Sequence, residues 1–109
     1  MQFSWLIKAR LRRTNIYIYL LEIRLRIYDS FSLKDKRRTV KSILDFARKN
    51  LNISAAEIGS LEIYNLADLA FVAVSNDNEL SKAVLEKVIK KIETNYQAEI
   101  VYENLERLV

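Results

Sequence analysis

The sequence predicts one small α+β domain, a four-stranded antiparallel sheet with two helices on one face in the order βαββαβ. Three observations carry this. Residues 16–28 and 67–74 have the two-residue period of strands. Two segments, beginning at Ser32 and Asn76, open with capping pairs and continue with helical apolar stripes. The elements then run strand, helix, strand, strand, helix, strand, and right-handed crossovers leave one simple solution for that order, the ferredoxin-like split βαβ arrangement. A helical bundle is excluded, because residues 16–28 and 67–74 carry the wrong period.

The chain has 109 residues, half of them hydrophobic and 29% charged, which is a globular balance and enough for a single core. With no proline and one glycine there is little material for an internal linker. The expected organisation is therefore an N-terminal extension at 1–15 and a single domain at 16–109. The extension, MQFSWLIKARLRRTN, puts Phe3 and Trp5 ahead of Lys8, Arg10, Arg12 and Arg13. That order is the reverse of a secretory signal, and a frayed or packed terminal piece is the simplest reading.

In the first strand Leu21, Ile23, Leu25 and Ile27 point one way and Glu22, Arg24 and Arg26 the other; residues 17–20 are apolar on both faces and belong centrally or under a cover. The first helix is expected over Ser32 to Asn50, with Ser32 and Asp35 as its capping pair and Leu33, Val40, Ile43, Leu44, Ala47 and Leu51 facing inward. Leu51 to Ile58 is a weaker strand, Gly59 and Ser60 mark a turn, and Leu61 to Leu66 has no clear pattern. Ala67 to Val74 is apolar on both faces and should lie inside the sheet. A second helix follows to about Asn95, capped by Asn76 and Glu79, with Leu80, Ala83, Val84, Val88, Ile92 and Tyr96 inward and Glu79–Lys82 and Glu86–Lys90 as surface pairs. Ala98 to Tyr102 is the last strand, and Glu103 to Val109 reads as an acidic and apolar tail.

The absence of cysteine and histidine removes disulfides, thiolate and imidazole metal ligands, cysteine nucleophiles and imidazole bases. No nucleophile and base can be paired by spacing, and no glycine-rich phosphate cradle of the acylphosphatase kind exists around the single Gly59. A non-enzymatic protein without cofactor, metal or small-molecule substrate is the expectation. Asp68, Asp77 and Glu79 are hard-cation ligands by type but read more simply as strand-end and cap residues. The longest apolar stretch, Ile16 to Leu21, is too short to cross a bilayer, so no membrane partner and a cytoplasmic location are expected.

Charge is uneven: residues 1–50 hold 13 Lys/Arg and 4 Asp/Glu, residues 51–109 hold 5 and 10. The densest cluster is Lys34, Lys36, Arg37, Arg38 and Lys41, at a helix start where cations oppose the dipole. Such a cluster can bind backbone phosphates, and the other reading is a solvated face paired with Asp35 and Asp45. Arg24 and Arg26 on the open sheet face, with Tyr28 in step, form a second candidate contact; the simpler reading pairs them with Glu99 and Glu103 across the sheet. That open face, with Ile18 and Leu20 beside strand 67–74, needs a cover, supplied by a homodimer or by Phe3 and Trp5 of the extension.

The segments SLKDKRRTVKSILD at 32–45, NISAAEI at 52–58 and ADLAFVAVSND at 67–77, with the helix after them, resemble the bacterial YlxP-like family, a domain of unknown function. The likeness covers Ile16 to Tyr102. It implies a small ferredoxin-like protein without established enzymatic activity, often encoded beside translation and ribosome-maturation genes, and hence RNA or the small ribosomal subunit as partner. The family's basic segment falls on Ser32 to Arg38 and its D-L-W-Q-like loop on Glu62, Ile63, Tyr64 and Asn65, with Tyr64 in place of a common tryptophan. The extension at 1–15 and the loop Tyr28 to Phe31, without proline or glycine, depart from the family's pattern.

Overall fold

A computed structural model describes residues 15–109. The elements are β1 (Tyr17–Ile27), α1 (Leu33–Asp45), β2 (Ser54–Gly59), β3 (Leu66–Ser75), α2 (Asn78–Asn95) and β4 (Ala98–Arg107), and α1 continues through a π-helical turn at Phe46–Asn50. The four strands form one antiparallel sheet in the order β2-β3-β1-β4 with two helices, the ferredoxin-like α+β arrangement that the periodicity implies. The expectations for residues 1–14, Phe3, Trp5 and the four cations among them, lie outside the described residues.

The core follows from the strand period. Leu21, Ile23, Leu25 and Ile27 of β1 and Ala67, Leu69, Phe71 and Ala73 of β3 are all buried on one face, against Val40, Ile43, Leu44 and Ala47 from α1 and its continuation and Leu85, Val88 and Ile92 of α2. Burying each large side chain contributes about 1.5–3 kcal/mol, which is why the two central strands are the most apolar. The helices are tied side to side by the Ser42 and Tyr96 hydroxyls, 2.6 Å apart, and by Lys91 Nζ, 4.9 Å from the Phe46 ring centroid.

Four expectations are corrected. Glu103 to Arg107 is not a tail: β4 continues to Arg107, pairing Glu103 with Ile23 and Arg107 with Tyr19. A register shift opposite Arg24 and Leu25 leaves Val101 as an extra residue, so the alternation changes phase mid-strand and conceals the second half. The cap of α2 is Asp77, whose carboxylate accepts from the Glu79 and Leu80 N–H groups, one residue beyond Asn76. Of the expected inward stripe of α2, Val88 and Ile92 are buried and Val84 and Tyr96 pack against the core, but Leu80 and Ala83 are exposed, and Ser81 and Leu85 are buried positions outside the expectation. Ser81 is tolerated inside because its hydroxyl reaches the Tyr17 carbonyl and Ser75 Oγ. Neither expected pair on α2, Glu79–Lys82 nor Glu86–Lys90, is closed among the described residues.

The unplaced stretch after Gly59 is a tight connection between β2 and β3. Ser60 has a left-handed φ of 58°, and the Ile63 N–H returns to its carbonyl. Gly59 is required for space: a Cβ there would stand 2.8 Å from Asp68 Oδ2.

Candidate nucleic-acid interface

The start of α1 is built by its cap. Ser32 is extended, its hydroxyl accepts from the Asp35 N–H at 3.1 Å, and Asp35 Oδ2 accepts from the Phe31 N–H at 3.1 Å. The reciprocal bonds fix the direction in which the loop enters the helix. From there Lys34, Arg37, Arg38 and Lys41 are spaced i, i+3, i+4 and i+7, which places them along one exposed stripe.

Lys36 does not belong to that stripe. It lies four residues before Val40 and seven before Ile43, on the inward face, and only 1% of its side chain is exposed. Its ammonium donates to the Ser60 carbonyl at 2.5 Å and stands 2.9 Å from Glu57 Oε2, out of alignment for a hydrogen bond to that oxygen. The expectation that Lys36 faces phosphate is therefore corrected: it clamps the β2–β3 connection onto α1. Lys41 is engaged with Asp45 at 2.7 Å, a carboxylate also approached by Lys49 at 3.8 Å, and this pairing holds Asp45 below its ordinary pKa. Lys34, Arg37 and Arg38 have no carboxylate partner among the described residues. The cluster of five thus resolves into one buried clamp, one paired lysine and three unpaired cations.

The arginines of the sheet face have other partners than expected. Arg24 lies opposite Asp68 of β3, donating from Nε at 2.7 Å and from Nη2 at 3.2 Å in a bidentate pair. Ser60 Oγ adds a bond at 2.7 Å to the same carboxylate. These donors, Arg24 first, hold Asp68 below its ordinary pKa against its partial burial, and Arg24 is raised in turn by Asp68. Arg26 does sit opposite Glu99, but that carboxylate accepts the Tyr28 hydroxyl, and Glu103 lies opposite Ile23. The Tyr28 phenol is raised mainly by this hydrogen bond to Glu99. Arg24 and Asp68, with Glu22, Ile23, Ile58 and Tyr102, line a shallow depression of 430 Å³ on the open face.

At the loop end of the domain, where α1 begins, stand side chains not singled out as site residues from the sequence. Phe31 is 81% exposed and Tyr64 47%, on loops 28–32 and 60–65 that meet where Ser30 Oγ donates to the Tyr64 carbonyl at 2.5 Å. The Ile27 N–H donates to the Asn65 carbonyl at 2.9 Å and closes the junction. The sequence signals were the placement of both aromatics in loops and, for Tyr64, its place in the D-L-W-Q-like family loop. Among the described residues no helix is long and apolar enough to cross a membrane.

Comparison with known proteins bears out the family resemblance. The sequence model of the family described as "Protein of unknown function (DUF503)" matches residues 18–104. The chain is also 32% identical over 68 residues to "Uncharacterized protein YlxP" of Bacillus subtilis (strain 168), covering 62% of this chain and 74% of that protein.

Proposed function

We propose that this chain, which belongs to the DUF503 family, is a small non-enzymatic RNA-binding protein that contacts backbone phosphate through the first turns of α1. The observation that carries this reading is the set of three cations, Lys34, Arg37 and Arg38, aligned on an exposed stripe without acidic partners among the described residues. They oppose the helix dipole, a local cost that an anionic ligand offsets. Ribosomal RNA of the small subunit is the partner class in view, by the family resemblance. Binding is expected to weaken steeply with salt, with a log–log slope of about −2 if three phosphates of a single strand are neutralised. Fluorescence polarisation with a labelled RNA across a salt series tests this; flat salt dependence, or no binding at low salt, overturns it.

A second reading concerns the open sheet face. Ile18, Leu20, Val72 and Val74 occupy adjoining positions there, and Val74 is 66% exposed. This apolar row fits a homodimer joined sheet to sheet. Sedimentation velocity that finds only monomer at high concentration removes it.

A further inference from the structure

The exposed rings at the loop end of the domain are not accounted for by packing. Phe31 directly precedes the cap Ser32, the position whose side chain ordinarily packs against the residue five further on. That residue is Lys36, which runs instead beneath the neighbouring loop to Ser60 and Glu57. Phe31 therefore lacks its usual staple and stands in solvent, although its backbone N–H is held by Asp35. Tyr64 is likewise exposed on a pinned backbone, its carbonyl held by Ser30.

Two aromatic side chains on anchored backbones lose little freedom when something flat packs on them. The stripe of Lys34, Arg37 and Arg38 begins three residues after Phe31 and supplies positive charge from that side, while Asp29 and Glu62 on the two loops and Asp35, bonded to the Phe31 N–H, are acidic side chains at the same end. Rings combined with cations suit bases that are unstacked and joined by a phosphate backbone. A duplex offers the phosphates but hides the base faces. We propose that Phe31 and Tyr64 form a stacking platform for the unpaired bases of a single-stranded nucleic acid whose phosphates run along Lys34, Arg37 and Arg38. The proposal rests on the phosphate reading above and narrows its substrate class from RNA in general to unpaired strands.

The test uses the full chain and three fluorescein-labelled probes of equal length: a single-stranded RNA, the same strand annealed to its complement, and a sugar–phosphate strand without bases. Wild type is expected to bind the single strand most tightly. Phe31→Ala and Tyr64→Ala should each weaken that binding about 5- to 150-fold and leave the other two probes unchanged, and Phe31→Trp should retain it. Arg37→Glu with Arg38→Glu should weaken all three. Equal wild-type affinity for the single strand and the baseless strand, or alanine variants that bind as wild type, overturns the platform while the phosphate reading stands. No binding to any probe sinks both. If the alanine variants instead shift the sedimentation coefficient of the free protein, the rings are a contact between protein copies and the platform is also overturned. Both rings are solvent-facing, so unchanged thermal unfolding of the two variants confirms that loss of binding is not loss of fold.

Discussion

Lys36 and Asp68 are two charged side chains that the fold has taken in from solvent, and they set different dependences. Lys36→Met leaves Glu57 largely buried without its cation and is expected to cost about 2–4 kcal/mol in denaturant unfolding, whereas adding Glu57→Gln should recover a large part. The expected signature is a double mutant more stable than the single; two additive losses would show that the pair is not coupled. Asp68 has a lowered pKa, so its contribution is complete above the usual carboxylate range and is lost as pH falls through the depressed value. Wild type should lose stability below about pH 4, and Asp68→Asn should show a shallower acid limb in urea unfolding measured between about pH 2 and 5. Gly59→Ala acts on the same carboxylate: the new methyl meets Asp68 Oδ2 and should displace it from Arg24 and Ser60, costing about 1–2 kcal/mol.

At the scale of elements, the strands and helices were legible wherever one face is buried and the other wet. β1 alternates from Leu21 onward, β3 was marked instead by being apolar on both faces, and Ser32 with Asp35 announced the start of α1 in four residues. The failures share a cause, a local shift of phase. The bulge at Val101 hid half of β4, and at the start of α2 the cap lies at Asp77, one residue past Asn76, with Ser81 and Leu85 inward where Leu80 and Ala83 were expected. The candidate site was legible in composition but not in geometry. Charge alone grouped Lys36 with its neighbours, while the stripe through Val40 and Ile43 marks it as an inward position. Cross-strand partners such as Arg24 and Asp68 depend on register, which a sequence separation of 44 does not disclose. Caps give a direct check at this scale: Asp77→Ala should lower stability by about 1 kcal/mol, and Asn76→Ala should leave it nearly unchanged. Equal effects from the two would return the cap to Asn76.

For the whole molecule, residues 16–109 carry 14 basic and 14 acidic side chains, so the proposed attraction to an anionic partner rests on local arrangement, and the net +4 of the chain comes from residues 1–15. Comparing the full chain with residues 16–109 in the RNA titration should therefore leave the effect of Arg37→Glu with Arg38→Glu intact while lowering the overall affinity. Loss of that effect in the shorter chain would place the contact in the extension. The proposed sheet-to-sheet dimer has its own variant: if the wild type sediments as a dimer, Val74→Glu should give monomer without altering thermal unfolding. The order β2-β3-β1-β4 also has a consequence in time. β1 is made first and lies between β3 and β4, so during synthesis one of its edges stays open until residues 98–107, the last strand, have emerged. A nascent chain ending before β4 presents an apolar strand with unpaired backbone groups, the form in which strands join neighbouring molecules. Pairing of β4 along β1 is thus what removes that exposed edge.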